Sequence, residues 1–516
     1  MPLRRKFLTF AIIALVVVAV LAIGVFYLLT VPPPLERRLQ ARVEQALSEH
    51  FHRNVQLQNM RVTLVPIFRV TADNFVLPNR DAQSQPAFIS IKHFTAEPNP
   101  LELLRSPIHI TSLELDGLVI SVPPKSESHH SDSAKPKRLR HLADFVIDRV
   151  HADGTFLYIL SKNPDRDPLE FDIRKLALAS AGIDQPMKFQ ADLTNPKPPG
   201  EIHSTGKFGP WNMDDPGGTP VGGHYRFDHA DLSVFNGISG ILSSTGDYIG
   251  QLNNIVVDGT TDTPDFKLDR GARAVHLTTQ FHAIVDGTSG NTYLQPVNAS
   301  FLKSHIVAKG EVAGQKGQKG KTIRLDIDVH DSRVEDMLAL ATEKGDSLLT
   351  GAMMTQAKLV IPRGDQDVLD KISLAGRFSV KDGHFPNPDV QSKLDSLSRR
   401  GQGKPDDMGI HDVPAQFDGV FRLQNARMSF SQLNFNVPGV QVQMSGAYAV
   451  HSEDLDFTGD VRLQATLSQT QKGIKHWISV PFDPLFKKNG AGTYLPVHIE
   501  GSKDSPKIQL DWKKVL

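Results

Sequence analysis

Downstream of Phe51 the dominant period of the chain is two. Phe88-Ile89-Ser90-Ile91-Lys92-His93-Phe94, Ile108-His109-Ile110, Ile323-Arg324-Leu325-Asp326-Ile327-Asp328-Val329 and Gln441-Val442-Gln443-Met444 alternate apolar and polar residues. Such alternation sends one set of side chains to an apolar environment and the other to water, as in β-strands. Asp-Gly pairs at 116–117, 153–154, 258–259, 286–287, 382–383 and 418–419 punctuate these runs and predict hairpin connections. The chain reads as a long antiparallel meander. At about 14 to 18 residues per strand and turn it would hold about 27 to 34 strands.

A Gly-x-aromatic step recurs, including Gly154-Thr155-Phe156, Gly206-Lys207-Phe208, Gly223-His224-Tyr225, Gly376-Arg377-Phe378, Gly419-Val420-Phe421 and Gly446-Ala447-Tyr448. Glycine lets a strand bend and the aromatic two positions on shares its face, which is the pattern of a curved sheet; a large β protein also accumulates such triplets without meaning. Helical spacing is confined to a few places. Leu35, Leu39, Val43, Ala46, Leu47 and Phe51 predict an amphipathic helix whose apolar face covers one end of the sheet or lies along a bilayer. Val334, Met337, Leu338 and Ala341, and Val390, Leu394 and Leu397, predict short helices covering an edge or end.

The N-terminus departs from all of this. Phe7 to Leu29 contains no charged residue over 23 positions and follows Arg4, Arg5 and Lys6. That length crosses a bilayer core as a helix, and the preceding cations favour a cytoplasmic N-terminus. The expectation is an uncleaved single-pass anchor with the bulk of the chain exported.

Composition narrows the chemistry. The 57 Lys+Arg balance 57 Asp+Glu, which argues against a nucleic-acid partner. Cysteine is absent, so disulfides, thiolate metal sites and cysteine nucleophiles are excluded. Gly314 to Thr322 imitates a phosphate loop, but its spacing to Gly320-Lys321-Thr322 is wrong and it opens into the Ile323–Val329 strand instead of a helix. A Lys-rich hairpin loop is expected there. His50 and His52 alternate along what reads as an extended segment and are taken as surface histidines. No Gly-x-Ser-x-Gly or His-Glu-x-x-His motif occurs. No enzyme activity, cofactor or metal is expected.

Leu35 to Val62, Pro100-Leu101-Glu102-Leu103-Leu104 and Ile108 to Gly117 resemble the opening domain of the AsmA-like family of bacterial inner-membrane-anchored periplasmic proteins. Phe378-Ser379-Val380-Lys381-Asp382-Gly383-His384-Phe385, Val437-Pro438-Gly439, Phe482-Asp483-Pro484-Leu485-Phe486 and Leu495 to Gly501 are similar to its closing domain. The resemblance implies a mainly β protein: an N-terminal transmembrane helix, then a long curved antiparallel β-sheet groove with an apolar interior and a few short capping helices. It implies a lipid-handling role that assists phospholipid transfer towards the outer membrane. The organisation expected is a cytoplasmic tail (1–6), a transmembrane helix (7–30), an opening domain (31–122), a linker or loop (123–140), middle groove repeats (141–370) and a closing domain (371–516).

An open alternating sheet needs a cover for its apolar face, and the sequence supplies few helices. Acyl chains are one candidate cover, with Val442, Met444, Ile323, Leu325 and Ile327 as candidate groove residues. The competing reading is an assembly factor or scaffold engaging outer-membrane or other envelope proteins by strand addition. Within Lys472–Lys488, Trp477, Phe482, Phe486, Lys475 and Lys487 suit either a membrane interface or a cap on the groove's end. Expected partners are phospholipid, the inner membrane and envelope proteins.

Overall fold

The computed structural model describes residues 33–51, 53–63, 67–79, 86–98, 108–122, 145–160, 168–182, 186–210, 215–268, 273–314, 320–340, 347–364, 366–471, 492–502 and 505–510. The predicted membrane helix, the 123–140 linker and the segment holding Trp477, Phe482, Phe486, Lys475 and Lys487 lie outside them. The fold is mainly β, with 25 strands among the described residues. Individual strands such as Phe145–Ile159 reach 15 residues. The chain divides into two compact units: Met1–Asp228 with Gly246–Ile255 and Asp286–Ser289, and His229–Thr245 with Val256–Val285 and Gly290–Leu516.

The first unit opens with helix α1 (Pro33–Phe51), which includes His50 and so corrects the extended reading there. Strands β1 (Gln56–Thr63), β2 (Arg69–Leu77), β3 (Ile89–Pro98), β4 (Ile108–Asp116) and β5 (Val119–Val122) follow. Next come β6 (Phe145–Ile159), β7 (Leu169–Gly182), β8 (Met187–Pro196), β9 (Pro199–Phe208) and β10 (Pro220–Asp231). Among its described side chains, helix α1 meets the sheet through a polar stripe along one edge. Glu36, Gln40, Glu44 and Ser48, spaced four apart on one helix face, meet the backbone of β1 and its approach. The amides of Val55, Leu57 and Val62 donate to Ser48 Oγ (2.9 Å), Glu44 Oε1 (3.0 Å) and Glu36 Oε1 (3.2 Å), and Gln40 Nε2 donates to the Leu57 carbonyl (2.6 Å). Leu47 adds an apolar contact to the core of Val55, Leu77 and Phe88.

The meander expected to be antiparallel throughout is broken in the first unit. β4 and β5 pair with β6 in parallel, in one continuous register that aligns Asp116 with Asp153 and Val119 with Phe156. Parallel neighbours need a crossover of a dozen or more residues, and the chain between Val122 and Phe145 supplies that length. Continued through the break, the register sets Gly117 beside Gly154, with φ of 64° and 63°. Gly154 sits inside β6 and Gly117 in the break between β4 and β5, neither at a hairpin end. Asp258-Gly259, Asp382-Gly383 and Asp418-Gly419 are likewise within strands. Of the six Asp-Gly pairs, Asp286-Gly287 joins β14 to β15, and Asp116-Gly117 lies between β4 and β5, which run on in one direction along β6. The positive φ that suits a hairpin turn also suits a bulge, so the dipeptide alone does not distinguish them.

Four strands, β11 (Ile238–Ser239), β12 (Ile241–Gln251), β13 (Asn254–Leu268) and β14 (Val275–Asp286), precede the long run of the second unit. That run holds β15 (Asn291–Phe301), β16 (Ser304–Gly314), β17 (Lys321–Arg333), β18 (Thr350–Ile361), β19 (Ser373–His384) and β20 (Ala415–Gln424). It ends with β21 (Arg427–Val437), β22 (Val440–Ala449), β23 (Asp454–Leu463), β24 (Thr493–Ser502) and β25 (Ser505–Leu510). Each pairs antiparallel with the next. Gly314 pairs with Lys321, so the Lys-rich stretch joins a hairpin as expected.

Helices α2 (Val334–Ala339), α3 (Val368–Lys371) and α4 (Pro388–Gly401) complete this unit. Asn387 caps α4 by accepting from the amides of Asp389 and Val390, and Pro388 occupies the first turn, where its missing N–H costs nothing. Leu394 of α4 is buried with Val413, Ala415, Val437, Val440 and Leu463. These strand residues lie at one end of β20 to β23, so the helix covers that end of the sheet. The helices read from Val334 and Val390 are therefore present.

The apolar face of the second unit

In an antiparallel ladder, directly paired residues project to the same side. Following the pairs across β16 to β23 gives one row: Ala308, Ile327, Ala357, Gly376, Phe421, Phe430, Gly446 and Phe457. The neighbouring row runs Ile306, Val329, Thr355, Phe378, Gly419, Leu433, Met444 and Gly459. No charged side chain interrupts either row. The side chains between them in sequence are mostly polar, including Arg324, Asp326, Asp328, Lys358, Arg377, Arg422, Gln441 and Gln443. One face is thus apolar across eight consecutive strands.

The five groove candidates all fall on this face. Ile323, Leu325 and Ile327 alternate along β17, opposite Ile361, Leu359 and Ala357. Met444 lies between Leu433 and Gly459, and Val442 between Phe435 and Val461. All five are half-buried. Their surroundings differ. Val442 packs against the cluster under α4, whereas Met444 lies one step farther along β22 and is not part of it.

The aromatic rings add continuity that single strands do not reveal. Phe378 lies 6.2 Å from Phe421 and 6.4 Å from Phe430, and Phe430 lies 5.9 Å from Phe457, centroid to centroid. Glycines occupy the positions opposite several of these rings, so the repeated Gly-x-aromatic step does carry structural meaning. The first unit has a comparable row, Ala72, Phe94, Leu115, Ala152, Leu176 and Ala191.

Charge is kept to the other side of the ladder. Nine His–Asp contacts occur among the described residues. Two join directly paired residues, His93 with Asp73 at 2.7 Å and His203 with Asp192 at 2.8 Å. The hydrogen bonds from His93 and then Asn59 hold the Asp73 carboxyl below its usual range. These two direct pairs had no local signal, because their partners come from different strands. The concavities of the second unit also lie on this polar side. One of about 870 Å³ is lined mainly from that side, by Asp326, Lys358, Ala375, Arg377 and Arg422, with Ile327, Ala357, Gly376 and Phe421 of the apolar row also in its wall, and an adjoining one of about 400 Å³ includes Met354, Arg377 and Asp418.

Residues 1–126 match the model of the AsmA family. This stretch spans α1 and β1 to β5, the part whose sequence resembles that family's opening domain, and is AsmA-like; the match does not extend to the closing-domain resemblance between Phe378 and Gly501. Comparisons with curated proteins and with solved structures gave no match.

Proposed function

Starting from an AsmA-like N-terminal region, we propose that the chain handles lipid in the bacterial envelope, sheltering acyl chains against its apolar sheet face and assisting phospholipid movement towards the outer membrane. The observation that carries this reading is the uninterrupted apolar row from Ala308 to Phe457, half-buried over most of its length, with none of its residues in the cluster under α4. A face of that kind is unfavourable in water and needs an apolar cover. Acyl chains suit it because they are unbranched, adapt to a row of Phe, Leu, Met and Gly, and need no hydrogen bonds. Transfer then involves no covalent step: chains slide along the row while head groups stay hydrated. The Phe7–Leu29 run would hold the protein in the inner membrane with its sheet in the periplasm.

A photo-crosslinking amino acid at Ile327 or Met444 of the full-length protein in native membranes tests the reading. Lipid adducts at these positions, and none at Gln443 on the opposite face, are expected. Equal labelling of both faces, or no lipid adduct on either, rejects it.

The scaffold reading rests on β25. All six of its residues are exposed, Ile508 to 70 %, and among the described residues it pairs with β24 alone. Strand addition by an envelope protein at this edge predicts protein adducts at Ile508 in the same experiment.

A further inference from the structure

We propose that the polar face of the second unit carries a phosphate-binding seat centred on Ala375. Ala375 of β19 stands between Lys358 of β18 and Arg422 of β20 in direct register, and Arg377 follows two residues along its own strand. All four line the cavity of about 870 Å³. The small Ala375 side chain leaves the floor open while three long cationic side chains stand around it.

Four cations, Lys309, Lys358, Arg377 and Arg422, stand against two carboxylates, Asp326 and Asp328, in the wall of this cavity, and Asp418 is a diagonal neighbour of Arg377 from the adjoining one. Asp326 pairs with Lys358 at 2.8 Å, with both side chains well exposed, so water and salt screen that contact. Asp328 pairs with His330 at 2.8 Å. Asp418, in the adjoining cavity, accepts from Asn434 at 2.7 Å. Arg377 donates to the neutral amide oxygen of Gln356. Arg422 has Ala375 and Ser429 as its cross-strand neighbours, neither of them acidic. Arg377 and Arg422 are diagonal neighbours, about 7–8 Å apart in such a ladder, and like charges at that spacing favour an anion between them.

Guanidinium forks match tetrahedral oxyanions through paired hydrogen bonds, and Ser429 and Ser431 add hydroxyl donors to the lining. The seat opens on the side of the sheet away from the apolar rows. A lipid whose chains lie along those rows cannot place its own head group there. The phosphate therefore arrives from solution or on a different lipid.

Full-length protein in a non-ionic detergent, titrated calorimetrically with tripolyphosphate and separately with monomeric dihexanoyl-phosphatidylglycerol, tests this. Saturable tripolyphosphate binding is expected, weakening as salt rises from about 0.05 M to about 0.2 M. The Arg377→Gln/Arg422→Gln variant should bind at least about tenfold more weakly. Ala375→Leu, which keeps every charge but fills the floor, should show the same loss, with an unchanged circular dichroism spectrum in both variants. Loss restricted to tripolyphosphate assigns the seat to soluble phosphate, and loss restricted to the short-chain lipid assigns it to head groups. Absence of binding by the wild type, or unaltered binding by both variants, overturns the proposal. Neither result bears on crosslinking at Met444, which tests the apolar face separately.

Discussion

Gly376 of β19 and Phe421 of β20 stand directly opposite each other, and two residues along the same pair of strands Phe378 faces Gly419. The two Gly-x-Phe triplets are thus reciprocal in register, and the Phe378 ring lies over Gly419. The device closes a gap in the apolar face where a β-carbon does not fit. One built on Gly376 would come within 2.3 Å of the Gln356 carbonyl oxygen, and one on Gly419 within 2.8 Å of the Phe378 ring. Aromatic cover of a strand glycine keeps the surface apolar while letting the backbones bend.

Gly376→Ala is expected to destabilise the protein by about 1–3 kcal/mol, because the crowding atom is backbone and moves only with the strand. Chemical denaturation of the variant checks this. A variant as stable as wild type would show that β18 and β19 separate freely there.

Val442 and Met444 should respond differently to a buried charge. Val442→Asp enters the cluster under α4 and is expected to cost roughly 2–4 kcal/mol of stability. Met444→Asp lies outside that cluster and should leave the melting temperature within a few degrees while abolishing lipid adducts from a crosslinker at Ile327. Cooperative unfolding of Met444→Asp would place that residue in a packed core and count against an open groove at β22.

The seam between α1 and β1 rests on polar contacts. Glu44→Ala removes the acceptor for the Leu57 amide and should cost about 1–2 kcal/mol locally. Hydrogen exchange reports this directly: amides of Leu57 and Val62 should lose protection while those of β17 keep theirs. Unchanged protection at Leu57 would mean that water or a neighbouring group replaces the carboxylate without loss.

Asp286 supplies a pH test. Burial pushes its carboxyl up, but hydrogen bonds from Ser289 and Thr288 outweigh that and hold it below its usual range. A group depressed in the folded state stabilises it above the unfolded pKa of about 3.9, and the contribution disappears as pH falls through the folded value. The stability difference between wild type and Asp286→Asn should be constant from about pH 5 to pH 8 and shrink below about pH 4. Denaturation midpoints measured across that range decide it; a difference that grows on acidification contradicts the assignment.

Much of the architecture was legible in the alternation itself. Ile323, Leu325 and Ile327 had to share a face because the period of a strand is two, and the helices at Val334 and Val390 announced themselves by their spacing. The parallel pairing of β4 and β6 was not legible: Asp116-Gly117 and Asp153-Gly154 look like hairpin turns, and only the partner strand shows them to be aligned irregularities. The polar attachment of α1 was hidden for a related reason. Glu36, Gln40, Glu44 and Ser48 read as a solvated helix face until the unpaired amides of an edge strand are set against them. The phosphate seat is assembled from β18, β19 and β20, so no contiguous stretch carries its signature.

The α1 seam constrains how a protein of this kind changes length over evolutionary time. With the amides of Leu57 and Val62 in β1 and of Val55 before it engaged by Glu44, Glu36 and Ser48, a new strand cannot be appended at that margin without evicting the helix. A whole hairpin inserted between existing strands would instead lengthen the sheet by about 9–10 Å. Because a hairpin adds two strands of opposite direction, the residues that follow keep both their orientation and their side of the sheet. Reach would therefore change in discrete steps by hairpin duplication, with the fastening of α1 to β1 left in place.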